Sequence, residues 1–287
     1  MKPTVVFQTD FGAGGGGVLA GVVRCVDPQV PVYDFTHGIA AYDIREAAYQ
    51  LSSIVPFWPS GTVFVSVVDP GVGTSRRSCV ARLAGGSYVV TPDNGTLTML
   101  ADQLAEVREI DELVNRLPGS EDVHIFNGRD VYAYTAARLA AGVISYEGVG
   151  PSYPVDEVVL VPLTNIDARL GDGWAEGGIY NIDKPYGSCR INIGNRDLQR
   201  VAGFAYGDHF HLRISCGDRI IYEGVGIYER TFGFADDSEA FLCGDIQMGA
   251  GQMLRLNVRG DFVRNVAPRL ADDATCVVDY LVRFERL

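Results

Sequence analysis

The sequence predicts two domains: an α/β N-terminal domain around a central, mostly parallel sheet, followed by a smaller all-β C-terminal domain, a barrel or a sandwich. Three observations lead there. Over the first half, short apolar, β-branched runs alternate with segments whose apolar residues recur at helical spacing, the pattern of strand–helix–strand units. Beyond about residue 163 that alternation gives way to short strands separated by frequent turn residues. Between them, Thr164 to Trp174 is rich in Asn, Asp and Gly and reads as a linker, which sets the domains at 1–163 and 174–287.

In chain order, Thr4 to Gln8 is an apolar strand that ends at Thr9-Asp10-Phe11-Gly12. Gly14 to Gly17 reads as a loop, and Val18 to Val26 as a buried helix. Val30 to Phe35 is a second strand. Asp43 to Ile54 carries apolar residues at helical spacing, with Asp43 suited to cap its N-terminus. Thr62 to Val68 is a third strand, almost wholly apolar, ending at Asp69-Pro70-Gly71-Val72-Gly73. Cys79 to Leu83 and Tyr88 to Thr91 flank Ala84-Gly85-Gly86 as a hairpin. Thr96 to Leu104 and Val131 to Ala141 read as helices, the second with Gly142 just past its end. In the second half, Phe210 to Ile214 and Arg219 to Tyr222 are typical of the short alternating strands.

Composition removes several classes of function. With 47% hydrophobic and 21% charged residues, the 287-residue chain has enough apolar surface to fold, which excludes disorder. Against 24 Lys and Arg stand 36 Asp and Glu, and a net charge of −12 repels phosphate backbones. No apolar run approaches the roughly 20 residues of a membrane span. The N-terminus runs directly into a strand and lacks the apolar stretch and cleavage site of a signal peptide, so a cytoplasmic location is expected. The six cysteines are scattered singly with no Cys-x-x-Cys pair, and read as reduced, mostly buried thiols. The P-loop pattern is absent, and the glycine run does not fit the dinucleotide fingerprint.

Several positions carry chemistry. Asp10 sits at the end of the first strand beside the glycine run, where a carboxylate suits vicinal ribose hydroxyls or, equally, caps a turn. Asp69 precedes Arg76 by seven residues, a spacing that allows a charge-assisted pair across a loop, able to orient water or simply to brace the loop. Phe126-Asn127-Gly128-Arg129-Asp130 opens a helix and offers a polar side chain and bare backbone. Pro92-Asp93-Asn94-Gly95 reads as a turn. Asp183-Lys184-Pro185-Tyr186-Gly187-Ser188 combines an acid, an aromatic ring and a hydroxyl that suit an amino acid or a base. His209 and His211 share one face of a strand and read as a structural or solvated pair. No metal ligand set accompanies them, and no metal is expected.

Taken in order, Thr9-Asp10-Phe11-Gly12, Asp34-Phe35-Thr36-His37-Gly38-Ile39 with Tyr42-Asp43-Ile44, the segment Val68 to Arg77, Pro92-Asp93-Asn94-Gly95, Phe126-Asn127-Gly128-Arg129-Asp130 and Asp183-Lys184-Pro185-Tyr186-Gly187 resemble the S-adenosylmethionine hydroxide adenosyltransferase (S-adenosylmethionine hydrolase) family, relatives of the fluorinase and chlorinase. The likeness covers nearly the whole chain and is strongest before residue 145. It implies attack of water at the 5′ carbon of S-adenosylmethionine, giving adenosine and methionine without a cofactor. It also implies a homotrimer with each site between the N-terminal domain of one subunit and the C-terminal domain of the next. By resemblance, Asp10 holds the ribose hydroxyls, Tyr42 lies beside the ribose, and Asp69 and Arg76 belong to the Asp-Arg-His set that handles water. Asp183 binds the methionine amino group, Phe232 packs on adenine, and Phe126, Gly128, Tyr186 and Ser188 complete the substrate site. Gly128 matches the hydrolases and the chlorinase, where the fluorinase has a halide-binding serine. The chain departs from the pattern at Asn127, where the hydrolases have histidine, and at Ser188, where the family has an adenine-facing Asn. It departs also at Gly249 and Ala250, near the methionine carboxylate, and in its shorter glycine loop. Transfer of the adenosyl group to another nucleophile such as a halide, a non-catalytic nucleoside-binding role, and a structural trimer with an unrelated ligand are the alternatives. Asp69 and Arg76, which the halogenases lack, argue against the first.

Overall fold

The computed structural model describes residues 2–183, 186–231, 233–235, 240–245, 252–258 and 279–287. They form two compact units, Met1–Val161 and Pro162–Leu287. The first contains β1 (Val5–Thr9), α1 (Gly15–Val26), β2 (Val32–Thr36), α2 (Ile44–Ile54), β3 (Val63–Val67), β4 (Ser78–Leu83), β5 (Tyr88–Pro92), β6 (Leu104–Glu109), α3 (Tyr134–Ala141) and β7 (Ser152–Tyr153). These seven strands make one sheet in the order β2-β1-β3-β5-β4-β6-β7. β2, β1, β3, β5 and β6 run one way, and β4 and β7 the other.

Side-chain alternation along the strands divides the core in two. Val5, Phe7, Val63, Val65 and Val67 pack with Leu19 and Val23 of α1 and with Ala136 and Ala137 of α3. Val6 and Phe64, one residue out of phase, pack with Leu51 and Ile54 of α2. Asp43 caps α2 as expected, its side chain accepting from the Glu46 amide. Gly142, at φ 74°, ends α3 in the left-handed conformation. β1 and β3 pair in parallel with Thr9 opposite Val67, so Asp10 and Asp69 leave the sheet at the same carboxyl edge.

Four local readings need correction. Gly15, Gly16 and Gly17 are the first turn of α1, not a loop. A Cβ on Gly16 would lie 2.5 Å from His37 Nε2 and 2.8 Å from Asp34 Oδ2, so glycine lets the helix start against the end of β2. Thr98–Gln103 is a 3₁₀ turn that leads into β6, a strand the sequence reading missed. The predicted helix from Val131 is preceded by a π-helical segment, Gly128–Ala133, and becomes α-helical only at Tyr134. The stretch read as a linker contains a short strand, β8 (Arg169–Gly171), which pairs with the strand that follows it.

That next strand is β9 (Trp174–Asp183), followed by β10 (Ser188–Gly194), a short helix α4 (Asn195–Arg200), β11 (His209–Cys216), β12 (Arg219–Tyr228), β13 (Ala240–Gly244), β14 (Met253–Val258) and β15 (Leu281–Arg286). β9 pairs with both β10 and β15. This closes a seven-stranded barrel in the order β9-β10-β14-β13-β12-β11-β15 and decides between barrel and sandwich. Its interior is filled by Ile179, Ile191, Phe210, Tyr228, Leu242, Leu254 and Phe284, among others. Among the described residues, no helix is long and apolar enough to cross a membrane.

Candidate active site

At the carboxyl edge shared by β1 and β3 lies a cleft of about 250 Å³, lined in part by Asp10, Tyr42, Asp69, Phe126, Asn127 and Gly128. Ligands of open α/β sheets bind at this edge. The Tyr42 amide donates to Asp10 Oδ2 at 2.9 Å. Tyr42 has φ 67° and is the one non-glycine residue in the left-handed region among the described residues. Such a conformation costs of the order of 1–3 kcal/mol and persists only where its surroundings hold it. Backbone bonds that bracket it do so: the Asp43 amide donates to the Ala40 carbonyl and the Ile44 amide to the Tyr42 carbonyl, each at 3.0 Å.

Asp69 is almost fully buried, its side chain 5% exposed. Arg76 grips it with two prongs, Nε donating to Oδ1 at 2.7 Å and Nη2 to Oδ2. Burial works against the Arg76 charge, but the Tyr132 oxygen and Asp69 outweigh it and raise the guanidinium above its ordinary range. The Tyr132 hydroxyl lies 3.5 Å from Asp69 Oδ2. Burial pushes that phenol well up, so it remains a donor. The 92–95 turn braces this loop, because Asn94 Nδ2 donates to the Val68 carbonyl at 2.9 Å.

Asn127 and Gly128 enter the cleft from the start of the π-helical segment. Asn127 Oδ1 accepts from Arg116 Nη2 at 3.4 Å. A Cβ on Gly128 would stand 2.6 Å from Phe11 Cζ and 2.9 Å from Phe11 Cε2. The Phe11 ring is in turn held against Phe126, with centroids 5.7 Å apart.

In the barrel unit, Asp183 ends β9. Its Oδ2 accepts from Arg190 Nη2 at 3.2 Å and from Arg255 Nη2 at 2.9 Å. Ser188 Oγ donates to Asn257 Oδ1 at 2.6 Å and accepts from Arg255 at 3.0 Å. Arg190 Nε also donates to the buried Asp245, at 2.9 Å. Tyr186 is largely exposed, with the Arg255 guanidinium 6.0 Å from its ring centroid. Phe232, Gly249 and Ala250 lie outside the described residues.

Comparison with known proteins decides the family. Residues 5–150 match the model of the SAM hydroxide adenosyltransferase N-terminal domain. The chain belongs to the SAM hydroxide adenosyltransferase family. Among relatives of this adenosyltransferase-family chain, the (R)-S-adenosyl-L-methionine hydrolase of Salinispora tropica is 40% identical over 168 residues, 57% of this chain and 63% of that protein. The chain thus spans less than two thirds of that relative's length in the match. A fluorinase from Actinoplanes sp. is 28% identical over 235 residues, 74% of this chain and 78% of that protein. A crystal structure of an uncharacterized conserved protein from Thermotoga maritima superposes with a TM-score of 0.79 at 27% identity, covering 98% of this chain and 99% of that one.

Of the family positions singled out in the sequence, Asp10, Tyr42, Asp69, Phe126, Asn127 and Gly128 share one cleft, with Arg76 directly behind Asp69. Asp183 and Ser188 meet through Arg255 in the barrel. The sequence reading missed the polar groups behind the cleft: Ser78, Glu112, Arg116 and Tyr132. The one local signal for them is the Glu112 and Arg116 spacing of four, which suits an ion pair. His209 is half-buried and His211 exposed, and the described residues contain no group of three or more His, Cys, Asp or Glu set to hold a metal. The five described cysteines are free; Cys79, Cys189 and Cys243 are buried, Cys216 is half-buried and Cys25 is exposed, while Cys276 lies outside the described residues.

Proposed function

We propose that the protein hydrolyses S-adenosylmethionine to adenosine and methionine. The observation that carries this reading is the buried, two-pronged Asp69–Arg76 pair on the cleft that also holds Asp10 and Asn127. A carboxylate fixed in this way is a hydrogen-bond acceptor of set direction, suited to one O–H of a water molecule. Asp10 takes the ribose hydroxyls, and so sets the 5′ carbon relative to that water. The water oxygen forms the new C5′–O bond as the C5′–S bond breaks. The bonding pair goes to sulfur, so the sulfonium leaves as a neutral thioether and needs no general acid. The surplus water proton passes to Asp69 or to solvent. The rate comes mainly from in-line positioning of that water on the 5′ carbon.

The crowding of Gly128 by Phe11 favours water over a halide held by a serine at this position. The reading extends to a homotrimer in which a neighbouring subunit's barrel unit, with Asp183, Tyr186 and Ser188, closes the methionine end. The test is to incubate the purified protein with S-adenosylmethionine, with and without chloride, and to separate the products by chromatography. Adenosine and methionine in equal amounts, unchanged by chloride, are expected. A 5′-chloro-nucleoside as main product, or no turnover, refutes the reading.

A further inference from the structure

Arg116 lines no part of the cleft, yet it reaches Asn127 from behind. It follows β6 in the turn that starts at Asp111, and its side chain is 9% exposed. Nη1 donates to the Val123 carbonyl at 2.9 Å, which ties down the segment leading to Asn127. Nη2 donates to Glu112 Oε2 at 2.5 Å and to Asn127 Oδ1 at 3.4 Å. An arginine has only donors, whereas the two ends of an asparagine amide are nearly alike in shape and opposite in polarity. Only the oxygen end can face a guanidinium without two donors meeting. Among the described residues, no protein group accepts from Asn127 Nδ2. Asn127 lines the cleft, so the NH₂ end is the one left to it.

Glu112 fixes Arg116 and carries the connection further. Its Oε1 accepts from Ser78 Oγ at 2.9 Å, and Ser78 Oγ lies 3.2 Å from the Tyr132 hydroxyl. Tyr132 lies 3.5 Å from Asp69 Oδ2. A continuous polar chain therefore runs behind the cleft from Asn127 through Arg116, Glu112, Ser78 and Tyr132 to Asp69.

We propose that Arg116, held by Glu112, is a positioning residue that turns the Asn127 amide so that its Nδ2 donates into the cleft, opposite the acceptor Asp69. The inference rests on the hydrolase reading for its chemistry. A water between the two gives one O–H to Asp69 and accepts from Nδ2 on one lone pair. The other lone pair is then aimed at the 5′ carbon. With the amide reversed, the water would face two acceptors and its lone pairs would be undirected.

The test is a double-mutant cycle on S-adenosylmethionine hydrolysis, reading kcat and KM separately. Arg116→Met is expected to lower kcat about tenfold, the scale of a misaligned reacting group, with KM within about twofold of the parent. Asn127→Ala should do the same, and the double variant should be no slower than the slower single variant. Arg116→Lys, which keeps a donor, should recover most of the loss. Multiplying losses in the double variant, an unchanged kcat in Arg116→Met, or a loss confined to KM overturns the proposal. If Arg116→Met does not fold, Glu112→Gln takes its place in the cycle. A neutron structure reads the orientation without turnover: an Asn127 oxygen facing Arg116 is expected, and a deuterated amide there overturns the proposal. A parent protein that makes no adenosine sinks the hydrolase reading, and the neutron result then still decides the orientation.

Discussion

Replacing Gly128 by serine should damage the cleft by crowding alone. The new Cβ would stand 2.6 Å and 2.9 Å from the Phe11 ring and 3.5 Å from Val67 Cγ1. Ordinary carbon contacts lie at about 3.5–4.0 Å, so the ring must retreat by roughly 1 Å. It has little room, since Phe126 packs on one side of it and a Cβ at Gly15 would already lie 2.3 Å from Phe11 Cβ. Gly128 is not among the positive-φ glycines, so backbone strain adds nothing. Overpacking of this kind costs about 1–3 kcal/mol. At roughly 2–4 °C per kcal/mol for a unit of this size, Tm should fall by about 2–12 °C. Calorimetry on Gly128→Ser, Phe11→Ala and the double variant measures it. Because Phe11→Ala removes the clashing ring, the double variant should be more stable than the sum of the two losses predicts. S-adenosylmethionine turnover should fall in Gly128→Ser and chloride should not become an acceptor. Strict additivity, or a Gly128→Ser protein with unchanged Tm and turnover, would refute the steric argument.

Two further outcomes follow from the same geometry. Asp10→Ala should lose about 1.5–3 kcal/mol of adenosine affinity, the range for a hydrogen bond to a charged group, as read by titration calorimetry; Asp10→Asn keeps an acceptor for the Tyr42 amide, so comparable losses in both variants would assign the effect to the ligand and not to the loop. Burial pushes the Cys79 thiol up to about 12 and the Cys243 thiol up to about 11, so at pH 8 iodoacetamide should label the exposed Cys25 within minutes and these two only after unfolding; early label on Cys79 in mass spectrometry would contradict the packing around it.

What the sequence revealed was what is decided locally. The α2 cap is a single side chain three residues from its acceptor amide, and Gly142 ends α3 through its own φ, so both are legible without the fold. The start of α1 is not, because Gly16 answers to Asp34 on β2 and to His37 just past its end. β6 went unread because only Val107 of its six residues is buried, which leaves no alternation to see. Barrel closure depends on β9 reaching β15 more than 90 residues later, a pairing no local pattern encodes. The same division holds at the cleft. Asp10 and Asp69 announce themselves at strand ends, and the order of motifs made the resemblance visible. Glu112 and Arg116 bond to Ser78 on β4 and to Asn127 just before the π-helical segment, and only the tertiary structure joins them.

The cleft also shows how an acidic chain keeps its polar groups aimed. Three polar groups that line it, Asp10, Asp69 and Asn127, are each held by a donor. The Tyr42 amide fixes Asp10, the Arg76 guanidinium fixes Asp69, and the Arg116 guanidinium fixes Asn127. Each of these bonds uses part of the polar capacity of its partner and leaves the remainder directed at the cleft. Under the proposed hydrolysis, dipoles oriented in this way before the substrate arrives would lower reorganisation during the reaction. Tyr42, in its strained conformation, is tied to the cleft by the same bond that orients the Asp10 carboxylate. Removing the Arg76 donor should cost stability as well as alignment, because it leaves the buried Asp69 carboxylate unpaired.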